Sequence, residues 1–115
     1  MRFLKYAPIA GIFIAAGIAI APGVAHANIT GEKLLEACSS KKADALAACD
    51  GYLAGVADAI NTAKAGNICF PAGATVKQFR DMALKELQAK PEIRHQTGST
   101  IMTPIFASAF PCKKS

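Results

Sequence analysis

The side chains that carry most enzyme chemistry are scarce in this chain. It has no tryptophan, two histidines and no Cys-x-x-Cys pair. It also lacks a glycine-rich phosphate loop, a Gly-x-Ser-x-Gly elbow and a His-Glu-x-x-His segment, the usual signatures of nucleotide-binding proteins, serine hydrolases and zinc proteases. We therefore predict a protein that is not an enzyme and that uses no cofactor and no metal.

Charge is limited and unevenly placed. Charged residues make up 18% of the 115, the net charge is +5, and all eight acidic residues lie beyond position 30. Without the first 27 residues, 11 basic and 8 acidic side chains remain, which reduces the net charge to +3. Nucleic-acid binding needs a basic stripe or patch, so no nucleic-acid partner is expected. The length allows one small domain.

The first 27 residues are organised as a secretory signal peptide. Two basic residues precede an uncharged apolar run over residues 7–24, and a small-x-small segment follows at 25–27. The alternative is an uncleaved anchor, because the apolar run nearly spans a bilayer. A proline and a glycine interrupt its end, and no basic stop-transfer cluster follows. We predict cleavage after Ala27 and an exported domain of residues 28–115 that is no longer attached to the membrane.

The four cysteines all lie in the exported part, and an even number in an oxidising compartment favours two disulfides. Cys49 and Cys69 bracket a predicted long helix, along which they would lie about 30 Å apart, too far for a bond. Two pairings stay open: Cys38–Cys49 with Cys69–Cys112, or Cys38–Cys69 with Cys49–Cys112. We favour the first, because a short loop after Cys38 lets two antiparallel helices meet near their shared end.

Hydrophobic spacing predicts an all-α fold, a small bundle of approximately four helices stapled by two disulfides. Thr30 can cap a first helix, and a second helix runs over residues 43–63, where apolar positions step by three and four. Thr75 and Gln78 form a capping box that opens a third helix, which Pro91 stops. No alternating pattern predicts a strand.

Two features of the helices predict local consequences. Pro104 obstructs the last helix unless that helix begins close to Thr103, because proline is tolerated only in a first turn.

Gly51 and Gly55 lie four residues apart in the second helix, and each costs about 1 kcal/mol relative to alanine there. We therefore expect a packing reason for them, such as the close approach of another backbone.

The remaining titratable groups do not form a catalytic constellation. Asp50 and Asp58 are about 12 Å apart along one helix, which is too far for a shared proton, and we interpret both as solvated carboxylates of the helix surface. His95 beside Arg94 could act as a general base, but a lone loop histidine is more typical of a contact residue.

Four stretches together carry a family resemblance. They are residues 49–59, 68–78, 91–95 and 109–112, with the sequences CDGYLAGVADA, ICFPAGATVKQ, PEIRH and AFPC. In this order and spacing, the chain resembles the Rap/Tai family of type VI secretion immunity proteins over about residues 31–112. The residues that we single out as structural motif positions are Gly51, Tyr52, Gly55, Pro71, Gly73, Pro91, Phe110 and Pro111.

The resemblance implies a periplasmic, helical, disulfide-bonded homodimer that binds a secreted cell-wall amidase effector and blocks its active-site groove. An alternative is a small periplasmic chaperone or stress protein that exposes apolar surface at low pH. A third possibility is an envelope or dimerisation module built on the face of Gly51 and Gly55.

The polar loop over residues 90–98 is the candidate partner contact, because binding residues concentrate on loops displayed by a rigid scaffold. Arg94, His95 and Gln96 are the side chains that we assign to this contact. The alternative interpretation is that Glu92 and Arg94 only hold the turn between two helices.

Overall fold

The computed structural model describes residues 28–113, which form four α-helices and no sheet. The predicted signal segment, residues 1–27 with cleavage after Ala27, lies outside the described residues. The all-α prediction is confirmed. The helices are α1 (Gly31–Cys38), α2 (Ala43–Ala63), α3 (Val76–Ala89) and α4 (Gly98–Ala109), with short 3₁₀ turns at Ala65–Asn67 and Pro91–Ile93.

The helix ends follow the capping chemistry of the sequence. The Thr30 hydroxyl accepts the backbone N–H of Lys33 at 3.3 Å, which caps α1. The capping box of α3 is confirmed: the Thr75 hydroxyl accepts the N–H of Gln78 at 3.2 Å, and the Gln78 side chain accepts the N–H of Thr75 at 2.9 Å. Helix α2 has its predicted bounds, and its C-cap residue Lys64 has a left-handed backbone with a φ of 52°.

Helix α4 corrects the expectation for the last helix. It begins at Gly98 rather than near Thr103 and continues through Pro104. Proline has no N–H, so the carbonyl of Thr100 loses its usual donor. The Thr103 hydroxyl donates to the Ser99 carbonyl at 2.7 Å in the same turn. The helix persists because three of its side chains fill the core, namely Ile101, Met102 and Phe106.

The core lies between the four helices and is apolar. No polar or charged side chain is buried in the described part of the chain. Four aromatic rings form one end of this core, with ring centroids 4.9 to 6.3 Å apart. They come from α3, from α4 and from the two segments that follow α2 and α4, and they are Phe70, Phe79, Phe106 and Phe110.

The two disulfides close the bundle at separate places, and the favoured pairing is confirmed. Cys38–Cys49 joins the end of α1 to α2 with its Cα atoms 5.1 Å apart, and both residues are buried. Cys69–Cys112 joins the segment after α2 to the segment after α4 with its Cα atoms 4.9 Å apart. Cys69 is exposed and Cys112 half-buried, so the second bond is the accessible one.

Candidate functional site

The second and fourth motif stretches contact each other and hold the C-terminal segment. The Cys69 N–H donates to the Phe110 carbonyl at 2.8 Å, and the Cys112 N–H donates to the Asn67 carbonyl at 3.2 Å. The Phe70 and Phe110 rings lie 5.3 Å apart, and a disulfide joins the same two stretches. These stretches therefore act as scaffold.

The remaining motif residues of these two stretches lie nearby at the surface. The Pro71 carbonyl accepts the N–H of Ala74 at 3.0 Å, which makes a turn that includes the exposed Gly73. Pro111 forms an isolated antiparallel bridge with Ile68. The turn and the bridge position the disulfide and give no cluster of reactive groups.

The first motif stretch connects α2 to α3 and α4. The Asp50 carboxylate accepts two hydrogen bonds from Arg80 of α3, from Nε and from Nη2, both at 2.9 Å. This pairing raises the pKa of the Arg80 guanidinium. The interpretation of Asp50 as a solvated carboxylate is therefore wrong, whereas Asp58 is exposed as expected. Tyr52 packs over Gly98 of α4, where a Cβ atom would lie 2.6 Å from the tyrosine oxygen.

The third motif stretch binds the end of α3. Arg94 donates from Nε to the Leu87 carbonyl at 2.7 Å and from Nη2 to the Gln88 carbonyl at 3.4 Å. These are carbonyls of the last turn of α3, which lack donors inside the helix. The Arg94 side chain thus supports the turn between α3 and α4, whereas His95 is exposed and Gln96 is half-buried. Partner contact by these three residues stays a prediction.

The same loop also positions α1 through a close backbone contact that the sequence analysis missed. The Gly31 N–H donates to the Gln96 carbonyl at 2.8 Å, and the Glu32 N–H donates to the Arg94 carbonyl at 2.9 Å. A Cβ atom at Gly31 would lie 3.0 Å from the Arg94 Cα atom and 2.5 Å from the Ile101 side chain. A glycine directly after the N-cap of α1 is the one sequence signal for this contact.

One open surface is the glycine face, formed by residues of α2 and α4. It is a shallow depression of about 510 Å³. An added Cβ atom at Gly51 or Gly55 would meet nothing within 4 Å among residues 28–113. The expected packing reason for these glycines inside the chain is therefore wrong, because α4 contacts α2 at Tyr52 and leaves both glycines outside. The glycine face consists of Gly51, Tyr52, Gly55, Val56, Ala59, Ile60, Ser99 and Thr103.

The second surface is a groove between α3 and α4 that encloses about 430 Å³. Glu86 and Lys90 on its rim form an ion pair at 2.9 Å, which raises the pKa of Lys90. Lys85 lies on the same rim and has no ion-pair partner among the described residues. We call this surface the α3–α4 groove, and its main lining residues are Met82, Lys85, Ile93, Gln96, Pro104 and Ile105.

Residues 28–113 contain no group of three or more histidine, cysteine, aspartate or glutamate side chains placed to hold a metal ion. None of the helices in this part of the chain is both long enough and apolar enough to span a membrane.

Comparison with known proteins identifies a family over nearly the whole described chain. The model of the Rap1a immunity proteins matches residues 30–112, which include all four helices and both disulfides. No curated protein and no solved structure matches in the corresponding searches. The matched range contains all four motif stretches. The chain belongs to the Rap1a immunity protein family.

Proposed function

We propose that this protein is a periplasmic immunity protein that binds and inhibits a type VI secreted peptidoglycan amidase and so protects the cell that makes it. The observation that carries the proposal is the family match over residues 30–112. An immunity family implies an inhibitor that acts by binding an effector, not an enzyme. The structure supports a binding role, because its motif residues brace the helices and leave two open surfaces.

Two observations support the periplasm as the place of action. Residues 1–27 have the three-part pattern of a signal peptide. Both disulfides form within the exported domain, and such bonds persist in oxidising compartments. Mass spectrometry of the protein from a periplasmic extract should give a chain that begins at Asn28 with no free thiol. A chain that retains its first 27 residues would contradict cleavage.

Capture from a periplasmic extract tests the function. The tagged protein should retain one predominant partner that hydrolyses peptidoglycan amide bonds, and adding an equimolar amount of the protein should abolish that hydrolysis. Retention of many unfolded proteins, increasing as the pH falls, would instead support the chaperone alternative. Hydrolysis that continues at molar excess would contradict inhibition.

A homodimer through the glycine face is part of this proposal. The face lacks side chains that would hold a second helix away, because Gly51, Gly55 and Ala59 are all exposed and small. Helix axes approach most closely where side chains are small. In an antiparallel pairing of two copies of α2 about a twofold axis, Gly51 of each copy can lie opposite Gly55 of the other.

The variant Gly55→Leu tests the dimer without disturbing the monomer. No atom of residues 28–113 would lie within 4 Å of the new Cβ atom. Removing a glycine from a helix interior stabilises that helix by up to about 1 kcal/mol. We expect a monomer by light scattering, with unchanged helix content and equal or higher thermal stability. Gly73→Leu, at another open glycine outside the face, is the control that should stay dimeric. A dimeric Gly55→Leu protein would exclude this face.

The loop contact is tested by comparing His95 and Gln96 with Arg94, whose side chain has a structural role. His95→Ala and Gln96→Ala should weaken effector binding while the circular dichroism spectrum is unchanged. Arg94→Ala should instead lower stability, because it removes the donors to the last turn of α3. Unchanged affinity in both His95→Ala and Gln96→Ala would remove the loop from the interface.

A further inference from the structure

We infer that the α3–α4 groove binds a segment of the effector in which an apolar side chain lies next to a carboxylate. The inference rests on the proposed function, since it names the surface and the chemistry through which the effector is bound. Two properties of the groove carry it: its size with its apolar lining, and its charge.

The groove is large enough to accept a side chain from a partner. Its volume of about 430 Å³ lies within the range of about 300 to 1,000 Å³ that is typical of ligand sites. Met82 of α3, Ile105 of α4 and Ile93 of the loop all line the groove and are half-buried. Methionine adapts its shape to an inserted side chain more easily than branched residues do. An apolar anchor residue fits this lining.

The charge at the rim of the groove favours a partner segment in which an acidic residue lies next to the apolar anchor residue. Glu86 is already paired with Lys90 at 2.9 Å, so its charge is compensated within the chain. Lys85 is exposed and has no ion-pair partner among residues 28–113. Two basic side chains and one acidic side chain line the groove, so its lining has an excess of one positive charge. Complementary charge at a binding surface increases the rate of association and selects among partners.

Charge reversal at Lys85 tests the inference with a matched control. Lys85→Glu should weaken binding of the captured amidase about ten-fold, because it replaces an attraction with a repulsion. Lys41→Glu introduces the same charge change at an exposed loop position away from the groove, and it should change the affinity less than two-fold. Ser108→Phe, which places a bulky ring in the groove from its rim, should weaken binding at least as much.

A photo-crosslinking residue at Met82, which lines the groove, then identifies the occupant. Photo-methionine, which closely matches the shape of methionine, should at this position crosslink to an amidase peptide that contains an apolar residue beside aspartate or glutamate. Crosslinking to a second copy of this chain would overturn the inference. So would equal affinity for the amidase in wild type, Lys85→Glu and Ser108→Phe, and that result would leave the proposed function intact. Failure of the wild type to capture any amidase would overturn both.

Discussion

The disulfide between Cys69 and Cys112 should supply a large part of the stability of this small domain. The two residues are 43 positions apart, and closing a loop of that length stabilises the folded state by about 4 kcal/mol in the chain-entropy model. Small domains have a total free energy of unfolding of about 5 to 15 kcal/mol. Because Cys69 is exposed and Cys112 half-buried, serine at both positions adds little cost of burying a polar group.

The double variant Cys69→Ser/Cys112→Ser tests this magnitude. Urea unfolding followed by circular dichroism should give a midpoint lower by about 4 M, if the slope is about 1 kcal/mol per molar. A loss below about 1 kcal/mol would refute the reasoning. It would mean that the aromatic cluster and the backbone hydrogen bonds at Asn67 and Phe110 already hold the C-terminal segment in place.

Differential reduction of the two bonds provides an internal control. Dithiothreitol should open Cys69–Cys112 first, because the exposed fraction is only 2% at Cys38 and 1% at Cys49. Alkylation followed by mass spectrometry should therefore label the C-terminal pair well before the buried pair. Equal labelling rates would show that global unfolding, not local access, governs reduction.

Three further predictions concern single side chains. Gly31→Ala should lower the free energy of unfolding by about 1 to 3 kcal/mol, because the new Cβ atom would lie 3.0 Å from the Arg94 backbone. Chemical denaturation measures this loss, and Gly73→Ala, at a glycine with open space around it, is the control. Thr75→Ala removes the α3 cap and should cost about 1 kcal/mol in the same assay. Glu86 raises the pKa of Lys90 above its ordinary value, so the small stabilisation by this pair should be present at neutral pH and lost as pH rises through the raised pKa. Measured from neutral pH upward, the difference in urea midpoint between wild type and Glu86→Gln should therefore persist until strong alkali, and a difference that disappears near neutral pH would contradict the assignment.

Local patterns were enough to predict most of the helices. Short-range spacing predicts the bounds of α2, the N-cap of α1 and the capping box of α3, because each of these depends on neighbouring residues. The exception is α4. Local chemistry predicts a start near Thr103, but the helix begins five residues earlier at Gly98, because burial of its apolar face outweighs the hydrogen bond lost at Pro104.

Candidate site residues were predicted less well, because their roles depend on distant partners. Asp50 and Arg80 are 30 positions apart, and only the rotation of α2 against α3 brings them together. The interpretation that Arg94 holds the turn between two helices agrees with the structure, but its acceptors, two carbonyls of the last turn of α3, were not predicted. The α3–α4 groove escaped prediction because the distance and rotation between its two helices depend on how both pack on the shared core, which the short loop between them does not fix.

The amino-acid sequence alone determined the helical class, the export pattern, the family resemblance and a choice between two disulfide pairings, because each of these depends on composition or on short-range spacing. Only the tertiary structure decided which surfaces stay open. The way in which the helices rotate and pack around one shared core decides whether Gly51 and Gly55 are covered. It also decides whether Lys85 has an ion-pair partner.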